Sequence, residues 1–262
     1  MITGMEGAFS LKGKTAFITG GNRGIGKGIA LAMAQSGANV AIMARAEKKA
    51  EETLAELAAW GGTHRFYKGD VTDFAGAKAA VEKAIEDYGK IDILVNNSGI
   101  ARVGPVLDMD ENLKDWYDVI NVNLHGVFVM SYLVGRHMRD TGGGVVINIS
   151  SNAAQIVNLP LFHSAYSTAK AGVDRLTKML AVEWAPYNIR VNAIAPGYTY
   201  SDLMQKGEEH EGFLKEILAK TPTGRFGEPI EVGALAVFLA SEAAGQITGA
   251  VVTIDGGYSL PR

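Results

Sequence analysis

Seven short apolar runs, at 15–19, 40–44, 65–68, 91–96, 145–150, 190–195 and 251–255, recur along the chain with stretches of good helix formers between them. No other property restricts the fold as tightly. Short runs rich in valine and isoleucine are strand-sized. The intervening segments at 25–36, 47–59, 75–88, 113–139, 165–185 and 230–240 have helical period, and several stop at a glycine such as Gly37 or Gly89. Strands joined through helices run parallel, cross over in the right-handed sense and have both faces of their sheet covered. The expectation is a doubly wound α/β fold: a parallel seven-stranded sheet with helices on both faces, and a ligand at the carboxyl ends of its strands.

Nothing divides the 262 residues: there is no internal repeat, proline-rich linker or low-complexity block, so 1–262 reads as a single domain. The segment 198–227 alone breaks the rhythm. It mixes charges, glycines and prolines around a short helix candidate at 211–220, and it falls between the last two strands on the ligand side. A substrate lid is the expectation there, against an ordinary surface insertion.

Composition removes several classes of function. Without cysteine the chain has no disulfide, thiolate zinc site or thiol nucleophile. The five histidines, His64, His125, His137, His163 and His210, lack metal-ligand spacing, so no metal is expected. Net charge is -3 with scattered basic residues, which argues against nucleic acid or an acidic membrane as partner. No apolar run approaches the roughly 18 residues of a membrane span. Residues 1–14 lack the pattern of a secretory signal. A small-molecule substrate and a cytoplasmic location are therefore expected.

Directly after the first run comes Thr19-Gly20-Gly21-Asn22-Arg23-Gly24-Ile25-Gly26, leading into a helix. Glycine lets the backbone turn sharply and approach a pyrophosphate, while the helix N-terminus offers N–H groups and the positive end of its dipole. A glycine-rich turn with a strand before it and a helix after it is the context that phosphate binding requires. The second strand ends at Ala44-Arg45. An acidic residue there would hold the ribose hydroxyls of NAD, whereas an arginine pairs with the 2′-phosphate of NADP.

These residues, with Asn96-Asn97-Ser98-Gly99, Tyr166-Ser167-Thr168-Ala169-Lys170 and Pro196-Gly197, resemble the TGxxxGxG, NNAG, YxxxK and PG motifs of the short-chain dehydrogenase/reductase family, in order and over nearly the whole chain. The resemblance implies a Rossmann-type fold and hydride transfer between a nicotinamide cofactor and a carbonyl/secondary alcohol pair. NADP(H) is the preferred cofactor, because Arg45 and Arg23 match basic positions of NADP-using members; NAD(H) is tolerated if Arg45 merely starts a solvated helix. Cofactor contacts carried over are Gly20, Asn22, Arg23, Gly24, Ile25, Gly26, Arg45, Asp70, Val71, Asn97, Gly99, Tyr166, Lys170, Pro196, Gly197, Thr199 and Ser201. Asp70 and Val71 match the adenine contact. Asn97 also ties the central strands, and Ser201 stands where relatives often have threonine.

Tyr166 and Lys170, four residues apart, share one helix face. A free phenol ionises near pH 10, and a neighbouring ammonium with the nicotinamide cation is expected to lower that value so that Tyr166 works as acid and base. The resemblance places the serine that orients the substrate oxygen at Ser151, with Ser150 as the alternative. It makes Asn123 the residue that bends its helix and holds a water linking Lys170 to solvent, with Asn121 close enough to compete.

The loop 152–160, with Pro222-Thr223-Gly224-Arg225 and Gly227-Glu228-Pro229, is similar to dehydrogenases of sugar alcohols, ketoses and sugar acids. Asn152, Gln155 and His163 can hydrogen-bond such a substrate or can be solvated. Alternatives are a 3-oxoacyl-thioester reductase and a non-catalytic NADP-binding regulatory protein; the latter would more naturally have lost Tyr166 or Lys170. A nucleotide-sugar epimerase needs more chain than follows the seventh strand. The helices at 113–139 and 165–185 and the tail Asp255-Gly256-Gly257-Tyr258 resemble the family's tetramer-forming surfaces, so a homotetramer is expected.

Overall fold

The computed structural model describes residues 7–200 and 211–260. Its strands are β1 (Thr15–Thr19), β2 (Asn39–Ala44), β3 (His64–Lys68), β4 (Ile93–Asn96), β5 (Gly144–Ile149), β6 (Ile189–Pro196) and β7 (Val251–Ile254). All seven form one parallel sheet in the order β3-β2-β1-β4-β5-β6-β7. The chain thus builds outward from β1 to β3, then returns to the other side of β1 and builds outward again. That reversal opens a crevice at the carboxyl ends of β1 and β4, where a doubly wound sheet takes its ligand.

The helices that position the site are α1 (Gly24–Gln35), α2 (Glu47–Leu57), α3 (Phe74–Tyr88), α4 (Lys114–Ile120), α5 (Gly126–Asp140), α6 (Ser164–Trp184), α7 (Glu211–Lys220) and α8 (Pro229–Ala240). Every residue of β1 is buried, because alternate side chains feed different cores. Ile18 joins Ile29, Met33, Ile42 and Leu239 on one face, while Phe17 joins Met43, Leu94, Met130 and Leu180 on the other. On the first face α1 and α8 pack backbone to backbone. A Cβ on Gly28 would lie 2.4 Å from the Pro229 carbonyl, so only hydrogen fits.

The long helix expected over 113–139 is broken into two. Leu113 sits at φ 51°, α4 runs to Ile120, and residues Asn121–His125 widen into a π turn before α5. The cause lies 23 residues upstream: Asn123 Oδ1 accepts from the Ile100 N–H at 3.0 Å, and its Nδ2 donates to the Ile100 carbonyl at 2.7 Å. Drawing one side chain onto a loop loosens the i→i−4 ladder at that point. Elsewhere the expected elements stand, with the fourth strand starting at Ile93 rather than 91.

Arg190 closes the far end of the sheet. Its guanidinium donates to the carbonyls of Leu239 (2.7 Å), Ser241 (3.2 Å) and Ile247 (3.0 Å), the first two at the C-terminus of α8, where a cation also complements the helix dipole. Arg190→Ala leaves those carbonyls short of donors, and we expect a loss of about 2–3 kcal/mol in urea denaturation. A change below about 0.5 kcal/mol would show that solvent replaces the arginine without cost. Among the described residues, no helix is long and apolar enough to cross a membrane.

Candidate active site

A cleft of about 580 Å³ runs along the carboxyl ends of β1, β2, β4, β5 and β6. At one end the turn between β1 and α1 contributes Gly20, Asn22, Arg23, Gly24, Ile25 and Gly26 to its wall. Asn97 stitches this turn to β4: its Nδ2 donates to the carbonyls of Thr19 (3.0 Å) and Gly20 (3.1 Å), and Thr19 Oγ1 accepts from the Asn97 and Ser98 N–H groups, both at 3.0 Å. A Cβ on Gly26 would stand 2.2 Å from the Gly20 carbonyl oxygen and 2.4 Å from Asn97 Nδ2, so the turn closes only around glycine. Arg23, the N-cap of α1, places no side-chain cap over the first N–H groups. This narrow, uncapped cradle fits the pyrophosphate of a dinucleotide.

Asn22 Nδ2 donates to the Ala46 carbonyl at 3.4 Å and ties the turn to the start of α2. There β2 and β3, paired with Ala44 beside Lys68, deliver Arg45, Asp70 and Val71 to the same wall. Arg45 reaches Asp70 at 3.6 Å, its side chain 70% exposed. Lys49 lines the wall as well and was not among the residues expected from sequence. Its signal was available, a basic residue in the first turn of the helix that Arg45 precedes.

At the other end, Ser151, Tyr166, Lys170, Pro196 and Gly197 line the cleft, with Gly99 between the two ends. Ser151 follows β5 and accepts from the Ala153 N–H at 3.2 Å, which fixes its hydroxyl over a short 3₁₀ turn at Asn152–Ala154. That hydroxyl also hydrogen-bonds Tyr166. Ser150 Oγ instead donates back to the Lys170 carbonyl at 3.3 Å, so Ser151 and not its neighbour sits beside the phenol. Lys170 is buried, its Nζ donating to the Ile149 carbonyl at 2.7 Å and lying 5.6 Å from the Tyr166 ring centroid.

The electrostatics correct one expectation. Burial pushes the Tyr166 phenol up, and the Ser151 hydroxyl only partly opposes it, so these side chains alone do not lower the phenol as the pairing with Lys170 suggested. Burial acts on Lys170 in the other direction and brings its ammonium down to about 8, with the charge of Asp174 pulling it partly back.

Several expected residues stand off the cleft. Asn123 is fully buried and engaged with Ile100, so its side chain shapes the helix and makes no hydrogen bond to Lys170; Asn121 is exposed. Thr199 is buried behind Gly197, whose carbonyl its hydroxyl meets at 3.3 Å, and pairs with Gly227. Ser201, like residues 202–210 of the 198–227 segment, lies outside the described residues. Of the three side chains suggested for substrate, Asn152 accepts from Asn158 Nδ2 (3.3 Å) and Gln155 from the Thr253 hydroxyl (3.3 Å), while His163 stands 5.7 Å from the Tyr166 ring.

A family model described as enoyl-(acyl carrier protein) reductase matches residues 20–259. The chain is 41% identical to D-threitol dehydrogenase of Mycolicibacterium smegmatis over 254 residues, 96% of this chain and 95% of that one. It is 39% identical to 2-dehydro-3-deoxy-D-gluconate 5-dehydrogenase of Dickeya dadantii over 251 residues, 95% and 97% of the two chains. Among solved structures, a short-chain type dehydrogenase/reductase from Mycobacterium marinum superposes with a TM-score of 0.93 at 38% identity, covering 98% of this chain and all of that one. A gluconate 5-dehydrogenase from Burkholderia cenocepacia in complex with NADP and tartrate gives 0.91 at 35% identity, covering 97% and 98%. Full-length similarity at these identities, around a cleft with a dinucleotide cradle at one end and Ser151, Tyr166 and Lys170 at the other, leaves one assignment: the chain belongs to the short-chain dehydrogenase/reductase family and is an oxidoreductase that moves a hydride between a nicotinamide cofactor and a CH–OH or carbonyl carbon.

Proposed function

We propose that the enzyme interconverts a secondary alcohol and a carbonyl on a polyhydroxylated substrate, a sugar alcohol, ketose or sugar acid, with NADP(H) preferred over NAD(H). The observation that carries the chemistry is the convergence of Ser151, Tyr166 and Lys170 at the end of the cleft opposite the glycine cradle. The cofactor, when bound, supplies or accepts the hydride. Ser151 orients the substrate oxygen and shares its developing charge. Tyr166 gives that oxygen a proton during reduction and takes one during oxidation. Lys170 holds the ribose hydroxyls and favours the phenolate by its charge, and Asn123 is a positioning residue acting through the π turn. Gly20, Asn22, Arg23, Gly24, Ile25, Gly26, Asp70, Val71, Asn97, Gly99, Pro196 and Gly197 form the rest of the cofactor wall, with Thr199 behind it; the contact expected of Ser201 falls outside the described residues.

The substrate class rests on the names of the relatives, D-threitol dehydrogenase and 2-dehydro-3-deoxy-D-gluconate 5-dehydrogenase, and on the loop similarity given above. The test follows NADPH absorbance against ketoses and keto sugar acids, and NADP reduction by polyols. Turnover of acetoacetyl thioesters in preference to all of these would replace the sugar reading by the 3-oxoacyl one. The intact Tyr166–Lys170 pair disfavours a non-catalytic NADP-binding protein.

Cofactor preference rests on Arg45, with Arg23 and Lys49 on the same wall. Arg45→Ala is expected to weaken NADPH by about tenfold, the worth of one charge-assisted phosphate contact, and NADH by less than twofold in fluorescence titration. Equal losses for both cofactors would mean that Arg45 only supports the fold.

Residues 1–262 act as one domain in a cytoplasmic homotetramer; the lid expected at 198–227 falls in part on residues 201–210, which lie outside the described residues. Exposed aromatic side chains on α4 and α5, Tyr117, Phe128 and Tyr132, with Met179 and Val182 on α6, support an interface between copies. A monomer in sedimentation equilibrium would remove the assembly claim.

A further inference from the structure

An arginine and an aspartate expected to serve separate tasks meet in the structure. The parallel pairing of β2 with β3 ends with Ala44 beside Lys68, and the Gly69 N–H continues it by donating to the Ala44 carbonyl at 3.1 Å. Arg45 and Asp70 therefore leave adjacent strand ends together, their charged groups 3.6 Å apart on the cleft wall. Asp70 is not free to follow the arginine. Its Oδ1 accepts from the Thr72 N–H (2.9 Å) and hydroxyl (2.8 Å), which leaves Oδ2 to Arg45. Arg45 is mostly exposed and can turn; Asp70 is only one-third exposed and anchored.

We propose that Asp70 sets how strongly the enzyme prefers NADP(H) over NAD(H), by competing with the 2′-phosphate for Arg45; this rests on the NADP(H) reading given above. A 2′-phosphate must draw the guanidinium away from a fixed carboxylate and then lie near that negative charge. A ribose hydroxyl carries no charge and leaves the pair intact. Both effects penalise the phosphorylated cofactor alone, so Asp70 holds the preference down and keeps NAD(H) usable. Any adenine contact of Asp70 is common to the two cofactors and cancels in their ratio.

The test is Asp70→Asn, since an asparagine keeps an oxygen for Thr72 and loses the charge. Isothermal titration of cofactor-free protein with adenosine 2′,5′-bisphosphate and with adenosine 5′-monophosphate reads the preference without turnover, and NADP+ and NAD+ repeat it with whole cofactors. In Asp70→Asn the 2′-phosphorylated ligand should gain about two- to fivefold over the other, the range expected for losing one exposed pair. Added salt should shrink the gain, and it should be smaller in the Arg45→Ala background. An unchanged or reversed ratio in Asp70→Asn overturns the role of Asp70 while Arg45→Ala still lowers the ratio. If Arg45→Ala leaves the ratio unmoved, the NADP(H) reading itself falls, and the role of Asp70 with it.

Discussion

Tyr166→Phe is expected to lower kcat by about 10²–10⁴, the usual worth of a positioned general acid–base group, with Kd for NADPH changed less than about twofold. The substitution removes one oxygen and keeps the ring, which stands 5.7 Å from the His163 ring and 5.6 Å from Lys170 Nζ, so α6 has no reason to shift. The dinucleotide cradle, built by Gly20, Gly26 and Asn97, shares no hydrogen bond with the phenol. Binding and chemistry should therefore separate. Steady-state kinetics in both directions with a fluorescence titration of NADPH make the measurement. Turnover within threefold of the parent would sink the acid/base role, and a matching loss of NADPH affinity would reassign the phenol to cofactor binding.

Lys170→Met should be nearly as damaging to activity, about 10²-fold or more, because the charge that favours the phenolate goes with the ribose contact. Its effect on stability should point the other way at neutral pH. Lys170 is buried and its ammonium titrates at about 8 in the folded protein, against about 10.5 in an unfolded chain. Below pH 8 both states carry the proton, and the folded state bears the full cost of keeping a charge out of water. Between about 8 and 10.5 the folded state has released the proton while the unfolded chain still holds it, so stability rises with pH, by at most about 1.4 kcal/mol per unit. The buried tyrosines oppose this only near pH 10, where they ionise in the unfolded chain. Urea denaturation of cofactor-free protein should thus show a rise between pH 8 and about 9.5 that Lys170→Met abolishes. A flat profile in the parent would mean that Lys170 keeps an ordinary pKa, and a variant much less stable at pH 7 would mean that its bond to Ile149 outweighs its burial.

How much of this was legible in the sequence depended on how far each relation reaches along the chain. Tyr166 and Lys170 declare their shared face by a spacing of four, and the Gly20–Gly26 turn declares itself by lying between a strand and a helix. Relations over longer stretches were invisible. A bend at Asn123 was expected from the family resemblance alone; nothing near Asn123 announces that it will bond Ile100, and the local pattern over 113–139 reads as one unbroken helix. The signal at Lys49, a basic residue in the first turn of α2, is ambiguous by itself, because a lysine early in a polar helix has the same local pattern whether it faces solvent or a cleft wall.

The direction of a pKa is likewise decided by what surrounds a group. Adjacency to an ammonium suggested a lowered Tyr166, while burial by distant segments raises it. By itself, then, the sequence determined the alternation of seven strands with helices, the glycine turn and the Tyr166–Lys170 pair, because each is written in the period or spacing of neighbouring residues; Ser151 came from the family resemblance alone, and the structure separated it from Ser150. Only the tertiary structure decided the strand order, the bonding of Asn123 to Ile100, the pairing of Arg45 with Asp70 and the burial that sets Lys170 near 8, because each depends on residues brought together from remote parts of the chain, where packing and desolvation rather than local pattern fix the energy.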